Sequence, residues 1–305
     1  QMATNLRRLL VPLQRSIRVR HRHATTFKAE NQTTSEDVEN FNDLLNQRTK
    51  GKKDKIVVKV QLPDGNEKSV LMNAGASTPY DCALHINKNL ADSSALCVVK
   101  SEDWIGESVS SMRVPLATPC SLEFVSFRSE QYAEEVNDAY WRSCSLLLGS
   151  LLSQSFSYPV HLLGRVPTTV KDGYFSYDVK VDKVSKEWKP TRNEMSSLVH
   201  HLYSHFIRQS LPFQVLRLTT EESSVFDTSK SDEGNMVCRV GDLVETIDGP
   251  VISHAGQIDR FAILKATQPS PQVWRFSGVS IPSSQSVSSF NWEVITNHAL
   301  KVCPP

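Results

Sequence analysis

Hydrophobic and polar positions alternate in short runs early in the chain, and this pattern predicts β-strands. Residues 56–62 are rich in β-branched side chains, and the turn-forming residues 63–66 lead into a second run at 67–72. This order predicts a β-hairpin. A helical pattern then runs to Leu90, with Pro79 just inside its start, so a helix should begin near Ser77.

Two more strand-like runs follow the predicted helix, at residues 95–100 and 121–127, on either side of a loop that carries Trp104. A hairpin, a helix and then further strands are the order of a small β-grasp domain. We therefore assign residues 55–127 to such a domain, the first of two in an α+β protein.

The most apolar part of the chain is residues 140–152, where almost every side chain is hydrophobic or small. A surface helix would show one apolar stripe, so this pattern predicts a helix inside a domain with other elements around it. Arg142 and Leu146 are one helical turn apart and therefore share a face of that helix.

The remainder of the chain, residues 128–305, is predicted to be mainly antiparallel sheet wrapped around this central helix. Asp172-Gly173 is a turn signal before a strand-like run that ends at residue 179. Thr191 and Glu194 have the spacing of a capping box and predict the start of a helix. Strands are expected again at 214–218 and in several runs after residue 236.

Residues 1–29 contain no acidic residue, but they contain six arginines and one lysine beside a helical stripe of leucines. This composition is typical of a mitochondrial import sequence. A basic arm that stays on the mature protein and binds RNA or anionic lipid is the alternative.

Residues 30–54 are predicted to form a polar and basic linker with a short helix at 38–45. Its end carries four cations, Arg48, Lys50, Lys52 and Lys53, which are candidate contacts to RNA phosphates. A solvated linker without a ligand explains the same residues.

Overall composition limits the other classes of function. The net charge is +1, with 39% hydrophobic and 22% charged residues, which is ordinary for a globular protein. No apolar run approaches the roughly 18 residues that cross a bilayer. The six cysteines form no C-x-x-C pair, so we expect reduced, packed thiols and no structural zinc. No phosphate-binding glycine loop or nucleophile elbow occurs, and no cofactor is expected.

Residues 59–127 resemble the TGS domain that begins threonyl-tRNA synthetases. The resemblance rests on Leu62-Pro63-Asp64-Gly65, Thr78-Pro79, Ala83 and the order of segments up to the closing strand. In that family the TGS domain is an RNA-associated accessory module without chemistry of its own.

The later part of the chain is similar to the editing domain of the same synthetases. The matching segments are Tyr140-Trp141, Ser143, Leu148-Gly149, residues 172–178, Leu211-Pro212-Phe213, Gly249-Pro250, Gly256 and Trp274-Arg275. Together with the TGS-like part, the resemblance covers about residues 56 to 290.

The editing domain hydrolyses serine wrongly attached to threonine tRNA, with two histidines one helical turn apart, a cysteine and a third histidine. The resemblance places these four positions at Arg142, Leu146, Ile247 and Val251. Loss of one general acid or base typically costs about 10²- to 10⁴-fold in rate, so the resemblance implies that this chain has no such activity. It also implies that aliphatic side chains line or fill the former pocket. Arg142 should pair with an acid from the neighbouring sheet or contact ribosomal RNA.

Residues 140–144 and 275–282 also resemble a family of mitochondrial large-subunit ribosomal proteins that are built like the front half of threonyl-tRNA synthetase. This resemblance implies a structural, non-catalytic protein of the mitochondrial matrix whose partners are ribosomal RNA and neighbouring ribosomal proteins, with no small-molecule substrate. Two alternatives remain: a free-standing hydrolase of mischarged tRNA, and a regulatory RNA-binding module outside the ribosome.

Two other groups of residues are candidate sites. His201 and His205 share a helical face next to His200, and they would bind a metal only with a third ligand from elsewhere, such as His161 or His254. The same histidines are where a relocated hydrolase would have its catalytic groups. Asp242, Glu245 and Asp248 near Gly249-Pro250 point either to a cation site or, as we favour, to a solvated turn.

Overall fold

The computed structural model describes residues 32–62, 64–101, 106–156, 160–181, 188–226 and 236–304. The predicted import sequence and Trp104 lie outside the described residues. The helices are α1 (Gln32–Thr49), α2 (Pro79–Ile86), α3 (Lys88–Ser93), α4 (Ala133–Ser155), α5 (Arg192–Leu202) and α6 (Ser289–Val302).

The first five strands are β1 (Lys55–Gln61), β2 (Glu67–Asn73), β3 (Ser94–Ser101), β4 (Glu107–Ser111) and β5 (Cys120–Ser126). They form one sheet in the order β2-β1-β5-β3-β4, in which only the central β1–β5 pair is parallel. The predicted hairpin is confirmed, and β4 was not predicted.

The helical segment after the hairpin begins where the sequence predicted but is interrupted. Thr78 caps α2 through a capping box with Asp81, next to the proline at its start. Instead of continuing to Leu90, the helix ends at Asn87, whose side chain accepts a hydrogen bond from the backbone of Asn89 and starts α3. Asparagine at this point favours a cap over helix continuation.

The remaining strands are β6 (His161–Val166), β7 (Phe175–Lys180), β8 (Gln214–Arg217), β9 (Met236–Val240), β10 (Leu243–Thr246), β11 (Ile258–Ser270) and β12 (Val273–Pro282). They form two antiparallel sheets, one in the order β10-β9-β8 and the other in the order β11-β12-β7-β6. The protein is therefore a mixed α+β structure dominated by antiparallel strands, as predicted.

Helix α4 packs against β6 and β7 of one sheet and against β9 and β10 of the other. Every residue from 143 to 152 is buried, which confirms the interior helix predicted from its composition. Gly149 is required at its position because a Cβ atom there would lie 2.5 Å from the ring of Tyr177. Tyr177 is itself fully buried, so the helix and β7 approach each other closely only through this glycine.

Helix α1 is longer than the short helix predicted in the linker, and it is packed against the later part of the chain. Phe41 is fully buried in a cluster with Leu216, Leu218, Phe226 and Val237. The guanidinium of Arg239 also donates to the side chain of Asn42. The apolar side chains spaced along α1 therefore form a packing face. This face was not predicted from the sequence, because most residues of the region are polar or charged.

Two features of the later chain were missed at the level of sequence. Helix α6 follows the last strand and packs on β11 and β12, and no helix was assigned to these residues from the sequence. The end of α5 widens into a π-helical turn at Tyr203–Ile207. Such turns are rare and have no simple sequence signal.

Candidate functional site

The four positions that the resemblance to the editing domain singled out, Arg142, Leu146, Ile247 and Val251, lie on α4 or on the segment after β10. Leu146 is on α4, and Ile247 and Val251 are on the segment that follows β10; all three are fully buried in one hydrophobic cluster. The side chain of Arg142, one turn before Leu146, is 13% exposed. Three of the four predicted positions are therefore part of the hydrophobic core, and Arg142 lies at its edge.

Arg142 is held by two groups of the segment after β10. Its Nε donates to Asp248 at 2.8 Å, and its Nη1 donates to the carbonyl oxygen of Pro250 at 2.6 Å. A Cβ atom on Gly249 would lie 2.8 Å from Nη2, so glycine is what allows the guanidinium to lie flat against this turn. Arg165 of β6 forms a second ion pair with Asp248. Arg142 is thus paired with an acid, as predicted, but the acid lies in the loop after β10 and not in the neighbouring sheet itself.

Asp248 is partly buried, and burial alone would raise its pKa. The charges and hydrogen bonds of Arg165 and Arg142 outweigh that effect, so the pKa of Asp248 is lowered. A lowered carboxyl pKa stabilises the folded protein at pH values above the ordinary Asp pKa, and this contribution is lost as the pH falls through the lowered value.

Replacing Asp248 with Asn should therefore reduce stability in a pH-dependent way. The change leaves two guanidinium groups facing each other, and we expect the free energy of unfolding to fall by about 1–2 kcal/mol at pH 7, because the carboxylate is half exposed. The difference in unfolding free energy between the wild type and Asp248→Asn should shrink below about pH 4, the ordinary pKa of Asp. Urea unfolding at several pH values measures it, with Asp242→Asn as the exposed control. A constant difference between pH 7 and pH 3 would contradict this account.

Three consecutive backbone N–H groups, from Val251 to Ser253, have hydrogen-bond acceptors inside the protein. The N–H of Val251 donates to Ser111 Oγ at 2.8 Å, and that of Ile252 donates to Ser143 Oγ at 2.9 Å. The N–H of Ser253 donates to Gln257 Oε1 at 3.0 Å. Acyl transfer needs such donors aimed at the oxyanion, and here each already has an internal acceptor.

The three acidic residues near Gly249-Pro250 have separate partners. Glu245 accepts a 2.6 Å hydrogen bond from the hydroxyl of Tyr177, and Asp242 accepts one from Gln154 at 3.0 Å. Asp248 pairs with arginines as described above. Within the described ranges, no group of three His, Cys, Asp or Glu side chains is arranged to hold a metal ion.

His201 and His205 stack on each other at the end of α5, with ring centroids 4.0 Å apart. His201 is buried, and neither of its ring nitrogens has a hydrogen-bond partner among the described residues. Burial, together with the nearby His205 and His200, lowers the pKa of His201 to about 4. A catalytic histidine is usually oriented by a second group. The Nδ1 of His205 lies 3.3 Å from the carbonyl oxygen of His201, but no described group orients the ring of His201.

The lowered pKa of His201 predicts an acid-sensitive fold. The unfolded chain takes up a proton near pH 6.5, whereas the folded protein does so only near pH 4, so stability is lost as the pH falls through this interval. We expect His201→Leu to flatten this part of the pH dependence in urea unfolding. His298→Leu, at an exposed position on α6, should leave it unchanged. An unaltered pH profile in His201→Leu would show that the histidine does not control it.

The four cations proposed as RNA contacts lie in different environments. Lys50 and Lys52 are exposed and Lys53 is half-buried. Arg48 instead forms a 2.6 Å ion pair with Glu222. All six cysteines are free and buried, as expected for packed thiols. None of the described helices is long and apolar enough to span a bilayer.

Sequence reasoning placed Arg142, Leu146, Ile247 and Val251 but missed the polar groups around them. Ser143 was noted only as part of a motif, and Ser111 and Gln257 were not noted at all. Their roles depend on contacts between distant segments. A buried serine within an apolar helix was the one available signal, because it needs a hydrogen-bond partner.

Comparison with known proteins gives two kinds of relative, and no protein-family model matches the chain. The chain is 27% identical over 291 residues to the large ribosomal subunit protein mL39 of Drosophila melanogaster, covering 86% of this chain and 84% of that protein. It is 27% identical over 263 residues to the cytoplasmic threonine–tRNA ligase 2 of Bos taurus, and 26% identical over 271 residues to the cytoplasmic threonine–tRNA ligase 1 of Rattus norvegicus.

The two kinds of relative differ in how much of their own length is matched. The alignments cover 80% and 82% of this chain but only 33% and 35% of the two ligases. The chain therefore spans about a third of the length of these ligases. It is similar to mL39 over most of both chains and to threonine–tRNA ligases over one part of theirs.

Proposed function

We propose that this protein is a structural, non-catalytic constituent of the large subunit of the mitochondrial ribosome. It supports mitochondrial translation by contacts with ribosomal RNA and neighbouring ribosomal proteins. The observation that carries the proposal is the packed state of the former catalytic positions: Leu146, Ile247 and Val251 are fully buried, and Arg142 is paired with Asp248. The similarity to mL39 along most of the chain supports the same assignment.

The proposal includes a division of the chain into domains that matches the ligase resemblance. Residues 55–127 are taken as a TGS-like β-grasp domain, which the parallel β1–β5 pair and the helices after the hairpin support. Residues 128–305 are taken as an editing-like domain, which the central α4 supports. Helix α1 packs on the second of these domains, so the linker that contains it is attached to that domain.

The proposed location is the mitochondrial matrix, supported by the acid-free, arginine-rich residues 1–29. Lys50, Lys52 and Lys53 remain proposed contacts to ribosomal RNA phosphates. The fourth candidate, Arg48, already forms an ion pair with Glu222 within the protein. No metal, cofactor or small-molecule substrate is part of the proposal.

Sedimentation tests the proposal. Epitope-tagged protein from mitochondrial lysate is expected in the large-subunit peak of a sucrose gradient, and it should move to lighter fractions after ribonuclease treatment. A tagged matrix enzyme of similar mass is the control that stays at the top. Recovery of the protein only in the light fractions of untreated lysate would overturn the proposal.

A hydrolysis assay separates this proposal from the enzyme alternative. Purified protein is expected to leave seryl-tRNA intact, because the loss of four acid, base or nucleophile groups removes the chemistry of the editing domain. Deacylation that disappears in His200→Ala, His201→Ala or His205→Ala variants would identify a relocated active site. The third reading, a regulatory module, predicts that cross-linking recovers messenger RNA or tRNA but no ribosomal RNA.

A further inference from the structure

A cleft of about 620 Å³ lies where the end of α1, the end of β8 and the edge of the first sheet meet. Its volume is in the range of small-ligand sites, which are commonly found between domains. The cleft does not include Arg142, Leu146, Ile247 or Val251. It is therefore separate from the former catalytic site.

The floor of the cleft is mainly aliphatic. Val114 and Leu116 are buried side chains on the segment between β4 and β5, and Leu218 closes the opposite side. Ala117 is exposed beside them and leaves the opening wide because its side chain is short. A flat, weakly polar group such as a nucleobase can be desolvated against such a floor.

The rim of the cleft is cationic. Lys53 and Arg217 both line it, and neither has an ion-pair partner among the described residues. Arg48 also lines it, and its charge is balanced by Glu222, which additionally accepts a 2.7 Å hydrogen bond from the N–H of Thr219. The lining therefore carries a net excess of positive charge, next to several hydroxyl groups.

The lining of the cleft also includes side-chain hydroxyl groups. They belong to Ser101, Ser108, Ser110, Thr118 and Thr219. Hydroxyls both donate and accept hydrogen bonds, so they suit the sugar and the edges of a base. A base-sized floor, hydroxyls and two uncompensated cations are the features needed for one nucleotide with its phosphate.

We propose that this cleft binds an unpaired nucleotide of an RNA strand, with the base against Val114 and Leu116 and the phosphates at Lys53 and Arg217. That the RNA is ribosomal rests on the proposed function. The affinity of the cleft for single-stranded RNA does not, because it can be measured on this chain alone. A base within a duplex cannot enter the cleft, so single-stranded RNA is the ligand.

RNA-binding measurements on the purified full chain test the role of the rim. Fluorescent single-stranded oligouridylate is the probe, and fluorescence anisotropy is recorded at several salt concentrations. The double variant Lys53→Ala with Arg217→Ala is expected to weaken binding about tenfold and to lower the slope of log K against log salt by about 1.4. The control, Lys171→Ala with Lys189→Ala, removes the same charge elsewhere and should bind as the wild type does.

A thiol footprint tests the cleft itself. The native cysteines are free and buried, so Ala117→Cys supplies an accessible thiol in the lining of the cleft. Its rate of alkylation by a maleimide should fall severalfold when oligouridylate is bound, and that of Lys171→Cys should not. Annealing the probe to its complement should remove the protection.

Three results would overturn the cleft proposal. One is equal RNA affinity of the rim variant and its charge-matched control. Another is alkylation of Ala117→Cys at the same rate with and without RNA. The third is equal protection by uridine monophosphate at the same nucleotide concentration, which would assign the cleft to a free nucleotide. None of these results depends on sedimentation with the large subunit, so failure here and failure of the proposed function are distinguishable.

Discussion

Replacing Leu146 with alanine is expected to lower the free energy of unfolding by about 2–5 kcal/mol. Leu146 is fully buried on α4 within the largest hydrophobic cluster of the described residues. Removing its isobutyl group forfeits hydrophobic burial and leaves a cavity that close-packed neighbours fill only in part. Urea unfolding followed by circular dichroism measures the change.

The control for this substitution is Leu71→Ala, because Leu71 is 63% exposed on β2. A surface change of this kind should alter stability by no more than about 0.5 kcal/mol. Leu146→His, which restores the residue type of the editing family, should be destabilising as well, since an imidazole would replace packed aliphatic contacts. If Leu146→Ala unfolded with the same free energy as the wild type, the side chain of Leu146 would not fill a packed site, and the prediction would be wrong.

Replacing Gln257 with leucine is expected to lower the free energy of unfolding by about 2–4 kcal/mol. The Gln257 Nε2 donates to the carbonyl oxygens of Asp92 at 3.0 Å and Ser94 at 2.8 Å, and its Oε1 accepts from the N–H of Ser253. Leucine has a similar volume but would leave these three backbone groups without a partner. Each buried unsatisfied group costs about 1–3 kcal/mol, and partial hydration reduces the total.

Gln285→Leu is the matched control, because Gln285 is exposed in the turn after β12. Chemical unfolding should place this control within about 0.5 kcal/mol of the wild type. Since Gln257 connects the end of α3 and the start of β3 to the segment before β11, its loss should also separate the unfolding of the two parts of the chain. A single, unshifted transition in Gln257→Leu would contradict the role given to this residue.

Much of the fold follows from local sequence signals. The alternation at residues 56–62 and 67–72 produced the hairpin, and Thr191 with Glu194 forms the predicted capping box. The dense apolar run of α4 predicted its burial. Each of these signals is local, because periodicity, turns and caps depend on residues a few positions apart.

The parts that were missed depend on tertiary contacts. Phe41 lies in a charged segment, and only its packing with Leu216 and Phe226 shows that α1 belongs to the core. Gln257 and Ser111 act through partners more than a hundred residues away. The cleft at Lys53 and Arg217 is likewise formed by residues that are distant along the chain. Single-sequence patterns carry no information about such pairs.

The role of the candidate-site positions stays a prediction, and the sequence did not show their environment. Arg142 and Leu146 were recognised through the resemblance to the editing domain, and the acid partner of Arg142 was expected without being identified. The structure adds that Asp248 is shared between Arg142 and Arg165. It also shows that the N–H groups of Val251 and Ile252 are used internally. These contacts give a physical reason for a scaffold role at this position.

The most direct test of the central claim is the stoichiometry of the protein in purified mitochondrial large subunits. Quantitative mass spectrometry of the gradient peak, before and after a high-salt wash, compares its abundance with that of other large-subunit proteins. A structural constituent should be equimolar with them and should resist the wash. A substoichiometric protein that the wash releases would contradict the claim and would favour a regulatory or enzymatic protein that binds the ribosome only transiently.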